Sequence, residues 1–267
     1  MSKFNSLAVL VGAVVVLNGS FVQTSFAQNS SLFTVGGTQV TDRDVISATF
    51  AIDDHCSGFM IAPNFGITAH HCDAKAGSVI ALLGGRCTVT AAEDAPNADP
   101  NYQSGDFTLV KVSCPAEIAA AIKPFELPAQ GEVTTGTVAI TGYGGPDGSS
   151  LVYPNLFAVP AAVTTDYTAI ENRCTEELRD YPAIMAGARA GMGICFLEAT
   201  GHIGYYGDSG GPVLAKTATG YQVVAVNSLV LATQWDSNGI AVPNGVLGMC
   251  DPRLAYYSNW IKSQMAR

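Results

Sequence analysis

The stretch that decides the fold of this chain is Gly207-Asp208-Ser209-Gly210-Gly211-Pro212. Glycines on both sides of a serine let the backbone turn sharply, so that the hydroxyl group is exposed and nearby N–H groups converge. A carbonyl group placed against Ser209 would direct its oxygen at the N–H groups of Gly207 and Ser209. This arrangement is an oxyanion hole, which stabilises the negative charge that develops in acyl transfer. The alternative interpretation is an ordinary glycine-rich turn with an inert serine.

A serine hydroxyl is a poor nucleophile unless a neighbouring base removes its proton. The chain has four histidines, and three of them, His55, His70 and His71, lie near one segment that ends in Thr68-Ala69-His70-His71-Cys72. Clusters of histidine and cysteine also bind zinc, and this segment offers His55, Cys56, His70, His71 and Cys72. The spacing is not that of a zinc finger, so we expect no metal and no cofactor.

Two segments resemble a known family. Thr68-Ala69-His70-His71-Cys72 resembles the Thr-Ala-Ala-His-Cys signature of the chymotrypsin/trypsin family, and Ser104–Val110 resembles its Asp-hydrophobic-Ala-Leu-Leu segment. The resemblance implies that His71 is a general base, that Asp106 orients it and that Ser209 is the nucleophile, in the chain order of that family. Asp94 and Asp99 compete for the role of Asp106, but no apolar strand follows either. His70 is interpreted as a structural histidine.

Smaller matches extend the resemblance along most of the chain. Thr34-Val35-Gly36-Gly37 resembles the family's Ile-Val-Gly-Gly start, Thr141-Gly142-Tyr143-Gly144 resembles its Ser-Gly-Trp-Gly turn, and Tyr257 to Ile261 matches its C-terminal helix. The implied fold is all-β, with two six-stranded antiparallel β-barrels, the active site between them and a C-terminal α-helix. The implied domain is 34–267, with the first barrel at 34–128 and the second barrel and helix at 129–267.

The residues themselves indicate a β-rich protein. Short apolar runs alternate with Gly, Pro, Asn and Asp, which is typical of β-barrels or a sandwich. The runs are Ser47–Ile52, Gly58–Ile61, Ser78–Leu83, Phe107–Val112, Thr137–Thr141, Val213–Ala215 and Gln222–Asn227. Only Arg253–Met265 has the apolar spacing of a convincing amphipathic helix, with Pro252 as a start signal.

The start of the chain reads as an export signal, so the cysteines are expected to form disulfides. Their number is seven, so at least one is free or pairs with another chain. The resemblance implies the pairs Cys56–Cys72 and Cys174–Cys195. Cys87 and Cys114 are the candidates for a further bridge within the first barrel. This assignment leaves Cys250 as the candidate free thiol.

The activation and specificity positions depart from the family. The resemblance implies an ion pair between a new N-terminus at Thr34 and Asp208, but Phe33 precedes Thr34, so we expect cutting by an enzyme that prefers apolar residues. The specificity pocket is expected to contain Ile203, Ser228, Val230 and Gly245. Ile203 stands where trypsin-like members carry an aspartate. A pocket without charge disfavours a buried cation, so an apolar residue is expected before the cut bond.

Composition and the N-terminus restrict the partners and the compartment. The net charge of −9 disfavours nucleic acid and membrane surfaces. Residues 1–27 read as a signal peptide, with an uncleaved membrane anchor as the alternative, and 28–33 read as a short propeptide. We expect a secreted or periplasmic monomer whose partners are polypeptide substrates and protein inhibitors. The competing function is a binding protein on the same fold with a disabled site.

Overall fold

The structure is a computed structural model that describes residues 37–98, 105–144, 151, 153–171, 181–197, 207–232 and 246–267. The described residues form more strands than helices. The strands of the first half are β1 (Thr38–Gln39), β2 (Thr49–Ile52), β3 (Cys56–Ala62), β4 (Phe65–Thr68), β5 (Val79–Leu82), β6 (Gly85–Asp94) and β7 (Thr108–Ser113). Those of the second half are β8 (Thr137–Gly142), β9 (Phe157–Thr164), β10 (Gly193–Leu197), β11 (Pro212–Lys216), β12 (Tyr221–Val226), β13 (Val230–Ala232) and β14 (Val246–Pro252).

The first half closes into a barrel with the strand order β2-β3-β4-β7-β6-β5. Phe50 fills its interior and is fully buried. Two glycines make room for this ring: a Cβ atom at Gly58 would lie 2.1 Å from Phe50 Cε2, and one at Gly66 would lie 2.8 Å from Phe50 Cε1. Close packing of this kind fixes the register of β3 against β4, the two strands that lead to the histidine segment.

The second half forms an eight-stranded sheet with the path β12-β11-β8-β9-β10-β14-β13, and β1 pairs with β9 beside this path. An isolated antiparallel bridge between Ala225 and Arg253 brings β12 next to the end of β14, so the sheet curls on itself. The predicted all-β class with a C-terminal helix is confirmed, with a closed six-stranded barrel and a second, larger sheet.

The connection between the halves is bonded to both of them. The N–H group of Phe125 donates to the carbonyl oxygen of Met60 in β3 (3.0 Å), while Glu126 forms a parallel bridge with Gln222 in β12. The boundary near residue 128 therefore falls in a segment that contacts both sheets, and its placement stays a prediction.

The helices are α1 (Arg43–Ala48), α2 (Ala116–Ala121), α3 (Tyr167–Glu171), α4 (Tyr181–Arg189) and α5 (Leu254–Met265), with a 3₁₀ turn at His70–Cys72. Helix α5 is the one that the apolar spacing predicts. The other four have five to nine residues, too short for a helical period to stand out in the sequence. None of the helices in the described ranges is long and apolar enough to cross a membrane.

Three disulfides join described residues: Cys56–Cys72, Cys87–Cys114 and Cys195–Cys250. The expected pair Cys174–Cys195 is wrong, and so is the expectation that Cys250 is a free thiol. Cys195 in β10 lies directly opposite Cys250 in β14, with their Cα atoms 4.1 Å apart, so cross-strand register decides this pairing. Cys174 lies outside the described residues.

Candidate active site

The histidine segment is held between a disulfide and a carboxylate. His71 lies in the 3₁₀ turn that follows β4, and the next residue, Cys72, is bonded to Cys56 in β3. The backbone N–H of His71 donates to Asp106 Oδ1 at 2.9 Å, and its ring Nδ1 lies 2.7 Å from Asp106 Oδ2. Both carboxylate oxygens of Asp106 therefore bind the same residue, which fixes the position and the orientation of the imidazole ring.

Asp106 is a fully buried carboxylate with a third donor. The hydroxyl group of Ser228 donates to Asp106 Oδ2 at 2.5 Å. Burial by itself would raise the pKa of Asp106, but the hydrogen bonds and charge of His71 and the hydrogen bond from Ser228 outweigh it, so the pKa is lowered. The group therefore stays ionised at neutral pH and keeps a proton on the Nδ1 atom that faces it.

The aromatic neighbours of Asp106 anchor it to helix α5. Phe107 is fully buried, and its ring lies 5.0 Å from the Tyr257 ring and 5.8 Å from the Trp260 ring between centroids, both edge to face. Such pairs add to the stabilisation that burial provides. The C-terminal helix thus holds the residue next to the buried carboxylate.

Asp94, one of the two competing acidic residues, does not take the same position as Asp106. Asp94 is half-exposed and pairs with His70, whose Nδ1 lies 3.0 Å from Asp94 Oδ1. It also accepts a hydrogen bond from Thr108 Oγ1 at 2.7 Å. Asp99 lies outside the described residues. His70 therefore has a structural partner of its own, and Asp94 serves it and not His71.

The turn that carries Ser209 is anchored to strand β3. The N–H group of Ser57 donates to the carbonyl oxygen of Ser209 at 2.8 Å, and the Ser57 hydroxyl donates to the carbonyl oxygen of Gly207 at 2.6 Å. Cys72 Sγ lies 3.8 Å from the same Ser209 carbonyl oxygen. Ser209 itself is only partly buried. Because Ser57 follows Cys56, the disulfide and these bonds hold the serine turn beside the histidine turn.

A second connection joins the serine turn to the carboxylate. The N–H group of Gly210 donates to the carbonyl oxygen of Asn227 at 2.7 Å, and Asn227 N–H donates to the carbonyl oxygen of Gly211 at 2.9 Å. The next residue, Ser228, donates to Asp106. Hydrogen bonds therefore connect the turn that carries Ser209 to the segment that supports Asp106, and Asp106 in turn binds His71.

Gly210 is a position where only glycine fits. Its φ is +82°, and a Cβ atom there would lie 2.3 Å from the carbonyl oxygen of Ser57 and 2.4 Å from Thr68 Oγ1. Gly136 offers a matched control, because its φ is +83° and a Cβ atom there would meet nothing within 4 Å.

Gly210→Ala is therefore expected to lower the free energy of unfolding by about 3–5 kcal/mol, since backbone strain and overlap with fixed backbone atoms add together. Gly136→Ala carries the strain alone and is expected to cost about 1–2 kcal/mol. Urea unfolding of both variants measures the difference, and equal losses would contradict this account of the turn.

Asp208 is a second buried carboxylate, next to Ser209. It is 1% exposed, and Asp208 Oδ1 accepts the N–H of Gly144 at 2.8 Å. A Cβ atom at Gly142 would lie 2.2 Å from the same oxygen, so glycine is needed there. Thr34, the expected ion-pair partner of Asp208, lies outside the described residues.

The predicted specificity pocket is described only in part. Ile203 and Gly245 lie outside the described residues. Val230 begins β13 and is partly buried. The Ser228 hydroxyl is bonded to Asp106, so this side chain supports the buried carboxylate, a role that we did not predict from the sequence.

The cysteines near His71 do not form a metal site. Ligand atoms of Cys56, His71 and Cys72 lie within 4.8 Å of one another. Zinc binds the thiolate form of cysteine, and here both sulfur atoms are joined in a disulfide. Of the other two members of the cluster in the sequence, His55 has its Nδ1 2.8 Å from the carbonyl oxygen of Asp53, and His70 pairs with Asp94. The donor set therefore does not fit a zinc ion.

Comparison with known proteins agrees with this geometry. The family model described as Trypsin matches residues 34–251. The chain belongs to the trypsin family of serine proteases. It is accordingly a trypsin-like serine endopeptidase, and the order His71, Asp106, Ser209 runs within the matched region.

Three relatives illustrate how similar the chain is to known members of the trypsin family. Venom plasminogen activator Haly-PA of Gloydius brevicauda is 25% identical over 218 residues, which cover 76% of this chain and 80% of that protein. Trypsin-1 of Astacus astacus is 25% identical over 224 residues, or 78% and 86% of the two chains. Brachyurin of Leptuca pugilator is 30% identical over 197 residues, or 67% and 80%.

Proposed function

We propose that this serine endopeptidase cuts peptide bonds with Ser209 as nucleophile, His71 as general base and Asp106 as the orienting carboxylate. The observation that supports it most is the bonding of all three residues into one framework. His71 Nδ1 lies 2.7 Å from the ionised Asp106 carboxylate, while Ser57 ties the Ser209 turn to the strand of the Cys56–Cys72 bridge.

The proposed reaction has two halves. Ser209 Oγ attacks the peptide carbonyl carbon while His71 Nε2 accepts the hydroxyl proton, and the oxyanion binds the N–H groups of Gly207 and Ser209. His71 then gives that proton to the leaving amine, and an acyl-enzyme remains. Water attacks the acyl-enzyme with His71 again as base, which releases the acid and restores the Ser209 hydroxyl.

A fluorophosphonate probe tests this assignment, because it phosphonylates only an activated serine. The processed wild-type protein is expected to become labelled on Ser209, and Ser209→Ala is expected to remain unlabelled. Absence of labelling in folded, processed wild-type protein would instead support a binding protein on the same fold.

We propose further that the residue before the cut bond is apolar. The supporting observation is in the sequence, where Ile203 stands six residues before Ser209, at the place of the family's cationic-substrate aspartate. Phenylalanine and alanine esters are expected to have a higher kcat/KM than arginine esters, because an uncharged pocket leaves a buried cation unpaired. A dominant arginine ester would contradict the proposal.

The proposal includes export and activation at Thr34. Export is supported by the three disulfides, which form in oxidising compartments. It is also supported by two of the cited relatives, which are named as a venom enzyme and a trypsin. The buried carboxylate of Asp208 is the proposed partner of the new amino terminus. N-terminal sequencing of the active form is expected to begin at Thr34, and a fully active form that begins at Gln28 would refute this step.

A further inference from the structure

Asp251 is a buried acid that none of the recognised motifs explains. It lies near the end of β14, opposite Ile194 of β10, and its side chain is fully buried. No lysine, arginine or histidine of the described ranges forms an ion pair with it. A carboxyl group in such a place is costly unless its hydrogen bonds compensate, so the contacts that it makes are informative.

Those contacts are all with the segment that supports the triad. Asp251 Oδ1 accepts the backbone N–H groups of Ser228 at 2.9 Å and of Leu229 at 3.2 Å. The Ser228 hydroxyl then donates to Asp106 Oδ2 at 2.5 Å, and the residue before it, Asn227, accepts the N–H of Gly210 at 2.7 Å. One carboxyl oxygen thus fixes the backbone of residues 227–229. This backbone segment in turn contacts both Asp106 and the turn that carries the nucleophile.

We propose that Asp251 is a positioning residue of the catalytic site, which acts through Ser228 on Asp106 and thereby on His71. The chain of contacts runs from Asp251 Oδ1 to Ser228 N, through the Ser228 side chain to Asp106, and on to the imidazole. A small shift of the Ser228 backbone lengthens its short bond to Asp106. This inference rests on the proposed triad.

Burial of the Asp251 carboxyl group favours its neutral form. Asp251 Oδ2 is buried and has no hydrogen-bond partner among the described residues. Burial raises the pKa of Asp251 to about 8, the two N–H bonds oppose this rise, and the negative charge of Asp106 adds to it. A neutral carboxyl group supplies the acceptor on Oδ1 without a second negative charge beside the one that His71 requires.

Two substitutions of similar volume test whether the acceptor oxygen of Asp251 is needed. Asp251→Asn keeps a neutral acceptor oxygen, and Asp251→Leu removes the acceptor. With a peptide p-nitroanilide substrate, Asp251→Leu is expected to lower kcat by about 10², the loss typical of a misplaced catalytic group, while Asp251→Asn stays near wild type. The rate at which the fluorophosphonate labels Ser209 is likewise expected to fall in Asp251→Leu and to stay near wild type in Asp251→Asn.

A direct readout of the His71–Asp106 bond distinguishes positioning from a general structural role. The proton NMR resonance of His71 Nδ1–H is expected to keep its wild-type position in Asp251→Asn and to move in Asp251→Leu and in Ser228→Ala. The double variant Ser228→Ala/Asp251→Leu is expected to lose no more activity than the more impaired single variant, because both act through one contact.

The results for these variants decide whether Asp251 positions the triad. An unchanged resonance and unchanged kcat in folded Asp251→Leu would overturn the inference, and so would additive losses in the double variant. Asp251→Ala, whose cavity admits water, is the second variant if Asp251→Leu does not fold; failure of both to fold would mean that Asp251 holds the fold and not the triad. An unlabelled wild-type protein is a different result, since it refutes the proposed function itself.

Discussion

Replacing His71 by alanine is expected to lower kcat by about 10⁶, the loss found when the base of such a triad is removed. Without the imidazole, no group takes the proton from Ser209 as it attacks the carbonyl carbon. The fold is expected to remain, because the Cys56–Cys72 disulfide and the backbone of the turn stay in place. Turnover of a peptide p-nitroanilide, with unfolding followed by circular dichroism, measures both effects.

Non-additivity makes this prediction more specific. Because the nucleophile and the base act as a unit, His71→Ala/Ser209→Ala is expected to be about as slow as either single variant. The neighbouring His70 provides a matched control: its ring pairs with Asp94 at 3.0 Å, and it makes no bond to Asp106 that would orient it toward the serine. His70→Ala is expected to keep most of the activity. A large loss of kcat in His70→Ala together with an active His71→Ala would show that the two histidines were assigned the wrong way round.

The local parts of this site could be predicted from the sequence because short motifs encode them. The glycines around Ser209 set a turn that few other residues permit, as the positive φ of Gly210 shows. Asp106 could be chosen over Asp94 because an apolar strand follows it, and a residue at the start of such a strand is shielded from water. Each predicted strand run also overlaps an observed strand, although the run that begins at Ser47 starts inside helix α1 (Arg43–Ala48).

The parts that the sequence did not predict depend on contacts between distant segments. Cys195 pairs with Cys250 because β10 and β14 lie side by side in one particular register, and matching cysteines to a family order carries no information on that register. The support that Ser228 gives to Asp106 spans 122 positions of the chain. The only signal for Asp251 in the sequence was a polar residue inside the otherwise apolar β14. Only the structure shows that this residue is buried.

Loss of the Asp106 carboxylate is expected to reduce turnover strongly, although less than loss of the base. Asp106→Asn should lower kcat by about 10⁴ while the fold is retained, as in the general template for this triad. The structural reason is the set of three donors around the carboxylate: His71 N–H, His71 Nδ1 and the Ser228 hydroxyl. An asparagine has one acceptor oxygen for them, and its NH₂ group facing Nδ1 favours the tautomer whose Nε2 carries the proton and cannot accept one from Ser209.

Asp94→Asn is the matched control for this variant, since Asp94 is half-exposed and serves His70. It is expected to keep most of the activity, and a comparable loss in both variants would contradict the assignment of Asp106.

The pH dependence of stability provides a further test of the Asp106 carboxylate. Because the pKa of Asp106 is lowered in the folded state, its stabilising contribution is complete above the unfolded-state pKa of about 3.9 and is lost as the pH falls through the lower folded value. The difference in Tm between wild type and Asp106→Asn should therefore narrow on acidification below that range, whereas a difference that widens would mean that the carboxylate is not held ionised by its donors.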